Sequence, residues 1–195
     1  MTPVFLDHPA SSVSLLVPGR EHIDLFLRLQ NDPATREYLA RYLPLTRIAE
    51  EKWLADRATD RDNISLVIAI KSQIRPRLTS IGSLGLHQIN WKDRRATTGA
   101  AIGKEFCNKG YGSNAKMLLL SYAFLELGLN KVESRVLATN ERSQAYSRKC
   151  GYQKVGLLKQ HHFRSGEFVD EVIMEVHAAD WLPLWDKFCK GEFKK

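Results

Sequence analysis

Cysteine is scarce and poorly spaced for any framework: Cys107, Cys150 and Cys189 are three in number, with no C-x-x-C pair. An odd count without paired spacing excludes a disulfide scaffold and a thiolate zinc site. Long apolar runs are also missing. The longest, such as Leu66 to Ile70, reach four or five residues, against the ~20 that a membrane-spanning helix needs. With 12 Gly and 7 Pro in 195 residues, the chain is neither collagen-like nor of low complexity. The start, Met1 to Asp7, lacks the basic and apolar regions of a secretory signal, so a cytoplasmic location is expected. Acidic residues fall short of basic ones, 22 against 29. The net charge of +7 favours an anionic partner without choosing among nucleic acid, membrane surface and a phosphate-bearing small molecule.

What is present fits one domain, since domains commonly run to ~100–200 residues. Val13 to Val17 reads as a strand, followed by a helical stripe of Ile23, Phe26, Leu27 and Leu29. Asp32-Pro33 is a cap residue followed by the proline favoured at a first helical position, and Thr46 can cap a further helix through Arg57. Leu66–Ile70, Ser80 to Gln88 and Thr97 to Ile102 read as three strands with short connections at Gln73 to Arg77 and Trp91 to Arg95, an antiparallel meander. A glycine-rich loop, Asn108 to Gly112, leads into a helix to about Leu127. Its apolar positions, including Met117 to Leu120, Phe124 and Leu125, go nearly all round, so it should be buried. Lys131 to Thr139 alternates as a half-buried strand; a helix capped by Asn140 runs to Cys150; and a hairpin turns at Arg164 to Glu167. Lys187, Lys190, Lys194 and Lys195 read as a solvated tail. The boundaries are therefore 12–58 for a strand and helical segment, 64–177 for the core, and 180–195 for a terminal helix and tail.

One region carries special chemistry. Gly110 and Gly112 leave the backbone bare just where the first helical amides have no acceptors and the helix dipole is positive. That suits a phosphate, and Lys109, Lys104 and Lys116 add charge. A P-loop is excluded, because no G-x-x-x-x-G-K-S/T occurs. Gly110, Gly112 and Ala115 satisfy G-x-G-x-x-G/A by letter, but no acidic residue ends the next strand, where Asn140 stands instead.

The run Cys107-Asn108-Lys109-Gly110-Tyr111-Gly112 resembles the coenzyme A pyrophosphate loop of the GNAT superfamily of acyltransferases, with Cys107 in place of the leading Gln or Arg. Asn140 to Ser143, with Gly151-Tyr152 eleven residues after Asn140, is similar to the family's downstream block. The resemblance covers roughly 64–177 and is nearest the branch of ribosomal-protein N-terminal-alanine and spermidine acetyltransferases. It implies an α+β (mixed α/β) fold with a mostly antiparallel central sheet of about six to seven strands and helices on both faces. It also implies acetyl transfer from acetyl-CoA to a primary amine.

On that resemblance, amides from Asn108 to Ser113 (Asn108, Lys109, Gly110, Tyr111, Gly112, Ser113) take the pyrophosphate. Ala101, Ile102 and Asn140 pair with the pantetheine arm as an added strand would. The family's tyrosine acid, seven residues after the asparagine, falls here on Ser147, with Tyr146 one before it. A helix turns ~100° per residue, so the two cannot face the sulfur equally. Position favours Ser147; the stronger acidity of a phenol keeps Tyr146 open. The family's strand glutamate is absent from Thr97-Thr98-Gly99, and His87 on the adjacent strand is the replacement by location, ahead of His161 and His162. A base supplied by water would need none of them. By analogy, Glu37, Tyr38, Arg41 and Trp53 shape the acceptor site. The basic surface points to a peptide N-terminus or small amine over a polyamine. A ribosomal protein is a compatible partner, nucleic acid is disfavoured by the lack of an aromatic-rich recognition run, and either monomer or homodimer is expected. The alternatives are an acyl-CoA-binding regulator without catalysis and a basic ribosome- or RNA-associated module.

Overall fold

The computed structural model describes residues 3–39, 42–72 and 78–193. The expected turn at Gln73 to Arg77, Arg41, and the tail residues Lys194 and Lys195 lie outside them. The described residues form eight strands: β1 (Val4–Leu6), β2 (Val13–Leu16), β3 (Ile64–Lys71), β4 (Leu78–Asn90), β5 (Arg95–Ile102), β6 (Lys131–Leu137), β7 (Gln153–Arg164) and β8 (Glu167–His177). They share one sheet in the order β1-β2-β3-β4-β5-β6-β8-β7. Every neighbouring pair is antiparallel except β5 and β6. The expected mixed class and meander are present. The expected six to seven strands fall short by β1, whose three residues are too few to show a period.

Among the described residues six α-helices, α1 (Ile23–Asn31), α2 (Pro33–Arg36), α3 (Arg47–Arg57), α4 (Tyr111–Ser121), α5 (Glu141–Lys149) and α6 (Ala178–Cys189), accompany the sheet. Side-chain caps set three of their starts. Asp32 Oδ2 accepts from the Thr35 N–H at 2.8 Å, Thr46 Oγ1 from Ala49 at 3.2 Å and Asn140 Oδ1 from Ser143 at 3.0 Å. Each satisfies a helix-end amide that would otherwise lack a partner.

The larger core forms where α4 and α6 press Met117, Leu119, Trp181 and Phe188 against inward residues such as Leu15, Ile68, Leu86 and Val132. On the opposite face, Leu25, Phe26 and Leu29 of α1 cover Leu16, Val67 and Ala69. Leu125 departs from the expected burial and is 54% exposed. After Ser121 the helix widens into a π turn, Tyr122–Glu126, which breaks the 3.6-residue period that placed Leu125 inward. The basic tail is also shorter than read from the sequence, because Lys187 lies within α6 and Lys190 caps it. Among the described residues no helix is long and apolar enough to cross a membrane.

Trp181 is fully buried, edge-to-face with Phe124 at 5.3 Å and stacked on Trp185 at 5.3 Å. Trp181→Ala is expected to cost about 3–5 kcal/mol in urea unfolding; a loss below ~1 kcal/mol would show that α6 does not close this core.

Candidate active site

β5 and β6 run side by side from Arg95 and Lys131 to Thr98 and Ser134, and then part. Beyond that point β5 remains paired only with β4, through Gly82↔Ile102, and β6 only with β8, through Leu137↔Glu171. Their facing backbone edges look into a cavity of about 1060 Å³ lined by residues 98–102 and 134–137. Unpaired N–H and C=O groups need partners, so an amide-bearing ligand can join the gap as a strand would.

The cavity continues along Asn108, Gly110, Tyr111, Gly112 and Ser113 at the start of α4. Asn108 (φ 60°) and Gly110 (φ 83°) take left-handed backbone, which at Gly110 costs no steric strain. The first intrahelical bond runs from the Asn114 N–H to the Gly110 carbonyl at 3.1 Å. The amides of Tyr111, Gly112 and Ser113 precede it and have no acceptor within the helix. A Cβ on Gly112 would stand 3.3 Å from Ile102 Cδ1, so glycine lets β5 and α4 approach closely. Asn114 ties this turn to the residue just before β2, its Oδ1 accepting from the Ser12 N–H at 3.1 Å. Bare amides and a helix dipole make an anion cradle, and Lys104, Arg142 and Lys149 line the same cavity.

α5 supplies the hydroxyls. Tyr146 lines the cavity, whereas Ser147, one step round the helix, is fully buried and outside the lining. The ~100° between the two side chains turns Tyr146, and not Ser147, to the cavity. Behind Tyr146 lies Lys116, 1% exposed, its Nζ 4.5 Å from the Tyr146 ring centre and 4.6 Å from that of Tyr152. This Nζ has no hydrogen-bond partner among the described residues; the two ring faces meet it instead. The expected loop charge at Lys116 is thus withdrawn into the core, where it fixes the Tyr146 ring. Burial also holds the Tyr152 phenol well above its ordinary pKa.

Ala101, Ile102, Asn108, Gly110, Tyr111, Gly112, Ser113 and Asn140 are brought together at this cavity, and Glu37 and Tyr38 line it too. Lys109 is not; its ammonium lies 5.9 Å from the Phe106 ring centre, outside the lining. Trp53 is not either. It packs edge-to-face on Phe26 at 5.7 Å with the Arg57 guanidinium over its ring, because the apolar stripe of α3 faces α1. His87 also lies outside the lining, although a Cβ on Gly99, which does line the cavity, would sit 3.9 Å from His87 Nε2. Burial lowers the His87 pKa, Arg57 lowers it further and Asp60 partly opposes this, so the ring is neutral at pH 7. The β6 wall, with Arg135, was missed. Alternation within β6 carries no sign of it, because the parting of β5 from β6 is what makes residues 134–137 a cavity wall.

The model of the "Acetyltransferase (GNAT) domain" family matches residues 14–153. The uncharacterized N-acetyltransferase p20 of Bacillus licheniformis is 24% identical over 156 residues, 77% of this chain and 84% of that one. The spermidine N(1)-acetyltransferase of Escherichia coli (strain K12) is 30% identical over 101 residues, 52% of this chain and 54% of that one. Among solved structures, the spermidine N-acetyltransferase from Vibrio cholerae in complex with CoA and spermine superposes with a TM-score of 0.81 at 22% identity, covering 88% of this chain and 98% of that one.

Cys150 joins the start of α4 to α5, its Sγ donating to the Ser113 carbonyl at 3.7 Å, and burial pushes its thiol up to about 12. At pH 8 only about 1 in 10⁴ would be thiolate. Ellman's reagent should therefore label exposed Cys189 in the folded protein and spare Cys150 until denaturant is added. Rapid labelling of Cys150 would show that the α4–α5 contact opens.

Proposed function

The chain belongs to the GNAT acetyltransferase family, which draws on acetyl-CoA, and on that premise we propose that it moves an acetyl group directly from acetyl-CoA to a primary amine in the β5–β6 cavity. The observation that carries this reading is the meeting of the strand gap with the bare amides of α4. In this reading the pyrophosphate sits on the amides of Tyr111, Gly112 and Ser113. The pantetheine arm pairs along Ala101 and Ile102, and Asn140, whose Oδ1 is committed to its cap, turns Nδ2 toward it. Charge growing on the thioester oxygen meets a backbone N–H at the fork; one such preorganised donor is worth ~10²–10³ in rate.

The amine attacks the thioester carbon, the C–S bond breaks, and the departing thiolate takes a proton from the Tyr146 hydroxyl. The proton released from nitrogen as the amide forms returns to the Tyr146 phenolate; an earlier proton must leave before attack, because an alkylamine with pKa ~10 is mostly protonated at neutral pH. His87, neutral and one residue removed from the cavity at Gly99, receives it through water. For the acceptor, Glu37 and Glu141 are carboxylates that line the cavity among the described residues, and such a carboxylate suits a singly charged ammonium. The net charge of +7 weighs against a polycation, so a peptide N-terminus or small monoamine is proposed. The relatives named for spermidine keep polyamines in the test.

Thiol release with acetyl-CoA across peptides, monoamines, polyamines and aminoglycosides should show the highest kcat/KM for a monoamine or peptide; preference for spermidine would overturn the acceptor assignment. Tyr146→Phe should lower kcat by about 10²-fold with little change in KM for acetyl-CoA, and Ser147→Ala by only a few-fold. The reverse order would move the acid to Ser147. Gly112→Glu places a carboxylate among the amides on backbone that needs no positive φ. It should abolish calorimetric binding of acetyl-CoA while the melting curve stays cooperative, and unchanged affinity would remove the phosphate site from α4.

A further inference from the structure

His161 and His162 are adjacent on β7, where strict alternation would send their side chains to opposite faces. The ladder slips between Leu158↔Glu171 and His162↔Val169. Residues 159–161 consequently stand opposite Asp170 alone. Within this bulge Gln160 adopts a left-handed φ of 51°, held by its N–H donating to Asp170 Oδ1 at 2.8 Å. A non-glycine residue in that region persists only where its surroundings impose it, and bulges of this kind re-aim side chains. Here the result is that both imidazoles converge on one carboxylate. His162 Nε2 lies 2.8 Å from Glu171 Oε1 and His161 Nε2 3.8 Å from Glu171 Oε2. The three donor atoms lie within 4.8 Å of one another. The Glu171 side chain is 8% exposed, His162 23% and His161 45%, so a buried carboxylate forms the base and the imidazoles open toward solvent.

We propose that His161, His162 and Glu171 bind a divalent transition-metal ion of the zinc class, with solvent completing its coordination. Two imidazole nitrogens and one carboxylate oxygen select such an ion over Mg²⁺ or Ca²⁺, and three protein ligands leave a position open. The Arg135 guanidinium, 3.5 Å from Glu171 Oε2 and half exposed, is a built-in competitor. An ion taking that oxygen displaces Arg135, which already lines the β5–β6 cavity. His161, His162 and Glu171 are not among the residues lining the β5–β6 cavity, so the site's existence does not rest on the reading of that reaction.

The test uses the tag-free, metal-stripped full chain, titrated with Zn²⁺ by calorimetry and with Co²⁺ by visible absorption. One equivalent should bind, with a tetrahedral or five-coordinate Co²⁺ spectrum lacking thiolate charge transfer. Affinity should fall at least about tenfold in His161→Ala and in His162→Ala. His161 is the most exposed of the three, so its variant should keep the parent melting temperature in the absence of metal. No binding of either ion, affinity unchanged in both variants, or a thiolate band placing the ion on Cys107 or Cys189 would overturn the proposal.

Discussion

The parallel ladder between β5 and β6 ends after Thr98 and Ser134, and the chemistry of the molecule follows from that ending. Backbone polar groups inside a protein require partners, and two strands that part company leave two rows of them facing each other across a gap. The chain then places the starts of two helices at the same opening. α4 begins after Gly110, reached from β5 through a short loop, and α5 begins after Asn140, at the end of β6. A ligand with amides in its middle and phosphates at one end finds partners for each part without any change in the strands themselves.

Charge of both signs meets at that opening: Lys104, Arg142 and Lys149 line it, and so do Glu37 and Glu141. Lys116, four residues after Gly112, contributes nothing to the surface, because α4 is apolar nearly all round and carries it inward between two phenol rings. An ammonium with no hydrogen-bond partner among the described residues is costly to bury; two aromatic faces offset part of that cost and at the same time hold Tyr146 against Lys116.

Much of this was legible in the sequence. Asp32-Pro33, Thr46 and Asn140 announced helix starts by side-chain chemistry that acts within three residues, and their caps are formed as expected. Gly110 and Gly112 marked the loop because backbone bareness is a property of the residue itself. What escaped depends on contacts distant in the chain. Trp53 reads equally as a site aromatic or a core one until Phe26 is known to face it. Ser147 and Tyr146 differ by one helical step, and their facing is set by how α5 packs on α4 through Cys150 and Ser113. The β7 bulge is invisible to a period-two reading, which assumes the very alternation it breaks.

The most direct measurement is amide hydrogen exchange with and without coenzyme A. Ligand in the strand gap should slow exchange at residues 98–102, 134–137 and 111–113 together, since one molecule bridges all three. Protection confined to other segments, with those three unchanged, would contradict the assignment of the gap as the cofactor site.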